Sequence, residues 1–224
     1  MKNKHAMCVA IWCGALVLKA MSQSQPEVAL ENPQQIQDAG KSGDKLLIVR
    51  LKKIFKLDEL SPKSRSGSAE MALAKLGDEN AMKAIVCELN NNENVAQQTD
   101  AFEKLHYVAG YTSIQVLSRF LDNNPQYSQS RMLGRDNVAE SLGQLARDTI
   151  TAIVPGTYHP PKHWRYGTTV EMKEWNREWV RWIRDNDSKL KKLEPVFSFK
   201  TVSRAECQDI EQKRKESDTG KQEN

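Results

Sequence analysis

Between residues 44 and 153, apolar residues recur every three or four positions, the spacing that lines one face of an α-helix. In residues 44–57 (DKLLIVRLKKIFKL), Leu47, Val49 to Leu51, Ile54 and Leu57 fit a helix, although LLIVRL alone also reads as a strand. Pro62 and the Ser-rich run after it interrupt the pattern. Ser68 then serves as N-cap for a helix over residues 69–76, and Gly77 ends it. Asp78 caps the next helix, which runs to about Asn90 with Ala81, Met82, Ile85 and Leu89 inward. Three asparagines make a turn, and Asn94 opens a helix over residues 95–109 that Gly110 closes. Thr112 caps a helix carrying Ile114, Leu117 and Leu121 on one face. After a loop over residues 124–135, Asp136 opens the last helix of the series, with Val138, Leu142, Leu145, Thr149 and Ile153 inward and Pro155 at its end.

The pattern fails at both ends. Lys2 and Lys4 precede an uncharged apolar run, residues 6–18, and small residues flank Met21 just beyond it. That is the layout of a signal peptide over residues 1–22, with cleavage near Ser22 or Gln23 and a secreted or periplasmic destination. The run is too short to span a bilayer, which takes about 20 residues. Residues 23–43, rich in Gln, Pro, Gly and Ser, read as a flexible linker, and residues 188–224 as a disordered polar tail.

The formal charge of +4 falls to +1 once Lys2, Lys4 and Lys19 are removed, which leaves no footprint for nucleic acid or an anionic membrane. Of the four cysteines, Cys87 and Cys207 survive cleavage. They are able to pair in an oxidising compartment, but nothing in their spacing requires it.

Gly77 and Gly110 stand 33 residues apart, each at the end of a predicted helix. Helix pairs with short turns and a period in the thirties make an α-solenoid. The tetratricopeptide and ankyrin signatures are absent. The string Ala72-Leu73-Ala74-Lys75-Leu76-Gly77-Asp78-Glu79-Asn80-Ala81 resembles the junction of short HEAT-like repeats of the bilin-lyase type, as do Asn94-Val95 and Asn137-Val138. The resemblance covers residues 68–155. Ala96 and Ala139 stand where that family usually has arginine, and no catalytic pattern of its lyases is matched, so it implies a fold and no activity. The expected architecture is all-α: a short solenoid of HEAT-like hairpins over residues 44–155, closed by a Pro-rich loop and a Trp-rich helix over residues 156–187, with disordered tails.

Candidate chemistry is sparse. Gly40-Lys41-Ser42 imitates the end of a phosphate-binding loop but lacks its first glycine and the strand before it. His159 and His163 bracket two prolines, which forbid the helix that would let them share a metal. His106 reads as a hydrogen-bonded core histidine on the face of Val95, Thr99, Phe102 and Leu105. There is no Gly-x-Ser-x-Gly elbow, and the carboxylates read as exposed partners of lysines and arginines. No cofactor, metal or enzymatic role is expected.

The unusual feature is residues 171–184 (EMKEWNREWVRWIR), which set Met172, Trp175, Trp179, Trp182 and Ile183 on one stripe. With Trp164, these tryptophans are expected to cap the open end of the solenoid, the alternative being a platform for stacking a ligand. Solenoids present a curved face to protein partners, and fold analogy puts Gln97, Gln98, Lys104, Arg147 and Asp148 on it. The expected function is an exported protein-binding or scaffolding module. An accessory factor or enzyme of envelope or pigment processing, and a purely structural envelope protein, are the alternatives.

Overall fold

The computed structural model describes residues 30–55, 61–90, 95–121, 130–132, 139–162 and 169–219. Among the described residues the fold is all-α, apart from one short antiparallel ladder. Helix α1 spans Pro33–Lys41, and a 3-10 turn over Lys45–Leu47 leads into α2, Ile48–Ile54. Then come α3 Arg65–Lys75, α4 Glu79–Asn90, α5 Val95–Val108 and α6 Tyr111–Ser118. Strands β1 Ser130–Met132 and β2 Ala139–Ser141 pair with Arg131 opposite Glu140. They precede α7 Leu142–Ile153, a 3-10 turn over Gly156–Tyr158, α8 Thr169–Asp185, α9 Asp187–Leu190 and α10 Arg204–Thr219.

Helix α3 lies at the centre, in contact with α1, α2, α4 and α5. Its sequence explains this: small residues on every side let neighbours approach, and residues 66–74 are all buried. Helix α5 packs on α3 and α4, α7 on α5 and α6, and α8 on α7. Apart from α10, which packs on α4, each helix packs mainly against neighbours close in sequence, and one continuous core runs from Leu30 to Val202.

Two boundaries follow the expected chemistry closely. Gly77 takes a positive φ of 94°. The amides of Gly77 and Asp78 return to the carbonyls of Ala74 and Leu73, the bond pair of a Schellman stop. Asp78 then accepts from the Ala81 amide at 3.0 Å and starts α4.

Other boundaries are corrected. Ser64, not Ser68, caps α3, accepting from Gly67 at 2.9 Å, while Ser68 is buried and donates to the Pro62 carbonyl at 3.0 Å. Gly110 occupies the N-cap of α6, and Thr112 lies inside that helix, accepting from the Phe197 amide at 2.8 Å. Residues 139–141 are strand rather than helix, and Asp136 and Val138 lie outside the described residues.

Both polar ends also contain packed structure. The segment read as a linker holds α1, capped by Asn32 and Gln35 in a capping box, with Ile36 and Ala39 buried on α3. Gly40 sits so close to α3 that an added Cβ would lie 2.7 Å from the Ala72 Cα. The Gly-Lys-Ser string is thus explained by helix packing.

The segment read as a disordered tail is a strap. The Tyr111 amide donates to Leu193 at 2.8 Å, Pro195 presses on Gly110, and Leu190 and Val202 are buried. Helix α10 then reaches α4, where Cys207 forms a disulfide with Cys87 across a Cα separation of 5.4 Å. The polar composition misleads here because a few apolar side chains and one covalent bond suffice to order a segment that builds no core of its own.

Candidate functional site

The strap and the helices it crosses enclose an open cleft of about 550 Å³. Its apolar lining comes from Phe55 after α2, Leu73 of α3, Ala81 of α4 and Ile210 of α10. Its rim carries charges of both signs, largely matched. Lys52 pairs with Asp78 at 2.7 Å, Lys83 with Glu79 at 2.9 Å and, more distantly, with Glu206 at 3.9 Å, and Lys213 with Asp209 at 2.7 Å. The hydrogen bond that Lys83 donates to Glu79 holds its ammonium above the ordinary pKa. Hydrogen bonds from the Ser203 amide and hydroxyl hold the Glu206 carboxyl below the usual range. The same bonds, with the Glu206 amide returning to the Ser203 hydroxyl at 3.2 Å, form the N-terminal cap of α10. Beside them Lys83 lies over the Phe199 ring at 5.4 Å.

Chemically the cleft combines an apolar lining with a rim of paired charges. Apolar walls reward burial of an apolar side chain, and paired charges at the rim select the polarity of what surrounds it. Exposed pairs like these contribute about 0–1 kcal/mol each, so rim contacts tune specificity more than affinity. Among the described residues, no group of three or more His, Cys, Asp and Glu side chains is placed to hold a metal ion. Likewise, none of the described helices is long and apolar enough to cross a membrane.

Of the residues assigned to a partner-binding face, Gln98, Lys104 and Arg147 are corrected by burial. Gln98 is buried and donates to the Leu89 carbonyl at 3.0 Å. Lys104 is buried between Glu70 at 2.7 Å and Glu88 at 2.5 Å, a Glu–Lys–Glu group joining α3, α4 and α5. Arg147 is buried, donates to the Asn176 side chain and lies 5.7 Å over the Trp175 ring. Burial lowers its pKa, partly offset by Asp148. Gln97 and Asp148 are half-buried at the edges of α5 and α7. Gln98 and Lys104 point inward because they find partners there, which offsets the cost of burial, whereas Arg147 is held by one hydrogen bond and the Trp175 ring while its Nε and Nη2 make no hydrogen bond.

Admitting Lys104 to the interior rotates α5 relative to the expected phase. Thr99, Glu103 and His106 face solvent together, so His106 is not a core histidine. His163 and Trp164 lie outside the described residues.

Glu70 and Glu88 were not among the expected site residues. Each carries a local signal: Glu70 interrupts the run Ala69 to Ala74, and Glu88 lies between Cys87 and Leu89 at the end of an apolar stretch. A lone carboxylate inside an apolar segment calls for a buried cation. The tryptophan stripe is divided by burial. Trp179 and Ile183 are in the core, while Trp175 and Trp182 are half-buried, with Trp182 edge-on to Trp179 at 5.6 Å.

Compared with protein-family models, curated proteins and solved structures, the chain matches none.

Proposed function

We propose that this is an exported scaffolding module whose cleft between α2, α4 and α10 receives a segment of a partner protein. The observation that carries the reading is the cleft itself, an apolar floor inside a rim of matched charges, held by a disulfide between residues 120 apart in sequence. A polar rim around an apolar centre is the usual composition of a protein-recognition patch. The paired cysteines support an oxidising destination, in keeping with the signal-like residues 1–22. Contacts between helices close in sequence support a short α-solenoid of HEAT-like character. In it, α8 serves as the terminal cap, with Trp179 as the side chain that closes the apolar end.

Photo-crosslinking in the native host tests this. A reactive residue at Ile210 is expected to capture one protein reproducibly, and Ile210→Glu to abolish co-purification of that protein without changing the melting temperature. Capture that is no more frequent at Ile210 than at the exposed Glu103 on α5 would refute the reading.

A further inference from the structure

We propose that the Cys87–Cys207 bond controls the cleft, given the reading of that cleft as a partner site: oxidation of the two thiols completes its wall, and reduction opens it. The cleft is assembled from two ends of the chain. Phe55, Leu73 and Ala81 come from α2, α3 and α4 and the turn after α2, where each helix packs on the next. Glu206, Asp209, Ile210 and Lys213 come from α10, which reaches α4 by way of the strap.

The two sides are held differently. Helices α3 and α4 are anchored by buried side chains such as Leu73, Met82 and Ile85. Helix α10 buries little. Cys207 and Ile210 are half-buried, and the other residues from 204 to 213 are exposed. The ion pair of Glu206 with Lys83 on α4 is 3.9 Å long and open to water, and the bonds between Ser203 and Glu206 lie within the strap itself. Shallow contacts of this kind add little against the entropy of ordering a segment. The covalent bond fixes α10 on α4 whatever that entropy is, because it restricts the chain before the segment docks.

The chemistry is thiol–disulfide exchange. Neither cysteine is fully buried, and exchange needs an approach to sulfur. In the oxidising direction one thiolate attacks the disulfide of a carrier, a protein or glutathione disulfide, to give a mixed disulfide. The second cysteine then displaces the carrier's thiol. The S–S bond forms, and the carrier leaves with the two electrons and two protons that the cysteines have lost. A dithiol runs the same steps backwards. The chain is therefore made with its cleft incomplete and gains the α10 wall where disulfides form, so a partner is met after export and not before it.

Lys52 beside α2 and Lys213 on α10 both line the cleft, so an amine crosslinker that spans it reads whether the wall is in place. Mass spectrometry compares three states of the full chain: oxidised, reduced with dithiothreitol and then alkylated, and carrying Cys87→Ser with Cys207→Ser. The Lys52–Lys213 link is expected in the oxidised protein and at least about tenfold less of it in the other two. Near-ultraviolet circular dichroism, to which the buried Trp179 contributes, should persist in all three. The proposal is overturned if the link is undiminished without the bond, or if the near-ultraviolet signal is lost with it, because the bond would then hold the whole fold and not the cleft. In the native host, capture by a photo-reactive residue at Ile210 should be lost in the serine pair, and equal capture with and without the bond would also overturn the proposal. If the oxidised protein captures nothing there while the crosslink responds to reduction, the partner reading falls and the control of the cleft by the bond stands.

Discussion

The Lys104 ammonium touches two carboxylates in a place where none of the three side chains meets water. Burial acts to lower its pKa, but Glu70 and Glu88 overcome that and hold it above the ordinary lysine value. A cation whose folded pKa is raised contributes stability that is fully present below its unfolded value and is lost as pH rises through the folded one. Between pH 5 and 9 the group should therefore be a constant stabilising element. Lys104→Met removes the cation that Glu70 and Glu88 share and should cost about 3–5 kcal/mol in urea titrations at neutral pH. A loss under about 1 kcal/mol would contradict the assignment.

Tyr111 belongs to the same scale. Its hydroxyl donates to Asp187 at 2.6 Å, and burial, with that carboxylate, pushes its pKa up to about 12. Its contribution is complete below about pH 10 and declines from there toward 12. Tyr111→Phe should flatten that alkaline loss in a pH-dependent melt.

At the level of elements, close approach and chain reversal set the tolerances. Gly40 lies against the Ala72 backbone, so neither partner yields easily to a new methyl group. Gly40→Ala should cost about 1–3 kcal/mol by overpacking. The exposed Gly43, which has open space around it but a positive φ, should cost about 1 kcal/mol for the same change, from backbone strain alone. Melting temperatures of the two variants check the order. In α8, Trp179→Ala should cost about 3–5 kcal/mol, whereas the same change at half-buried Trp182 should cost less. Equal losses at the two positions would show that α8 docks in another rotation.

The whole molecule is tied by the Cys87–Cys207 bond, which joins α4 to α10 across 120 residues of sequence. Closing so long a loop restricts the unfolded chain, and the chain-entropy estimate for its contribution is about 5 kcal/mol, an upper figure. The strap itself has few buried side chains, chiefly Leu190 and Val202, so its local stability without the bond should be low. Reduction should lower the melting temperature and should also expose residues 191–213 to protease before the α3–α5 core opens. Hydrogen exchange under reducing and oxidising conditions separates these effects. Unchanged protection of the strap after reduction would show that its noncovalent contacts are enough.

Helix class was legible in the sequence because it depends on local spacing: the apolar period, the Asp78 cap and the Gly77 stop act within one or two turns. The interior of α4 and the covered side of α8 follow from the same period. What the tertiary structure decided are the features that depend on a partner distant in sequence. Composition made residues 33–41 look unstructured, yet α1 folds because α3 offers it a surface of small residues. Gln98, Lys104 and Arg147 looked like a binding face because polar side chains ordinarily seek water. Leu89 satisfies Gln98, and Glu70 and Glu88 satisfy Lys104, inside the fold, while Arg147 is held there by one bond to Asn176 and by the Trp175 ring. Cys87 had a partner able to reach it, but only the path of the strap over Gly110 and Thr112 brings Cys207 to it. Local spacing tells which face of a helix is apolar. Whether a polar group or a cysteine is buried depends on what the rest of the chain brings to meet it, and no short window of sequence contains that.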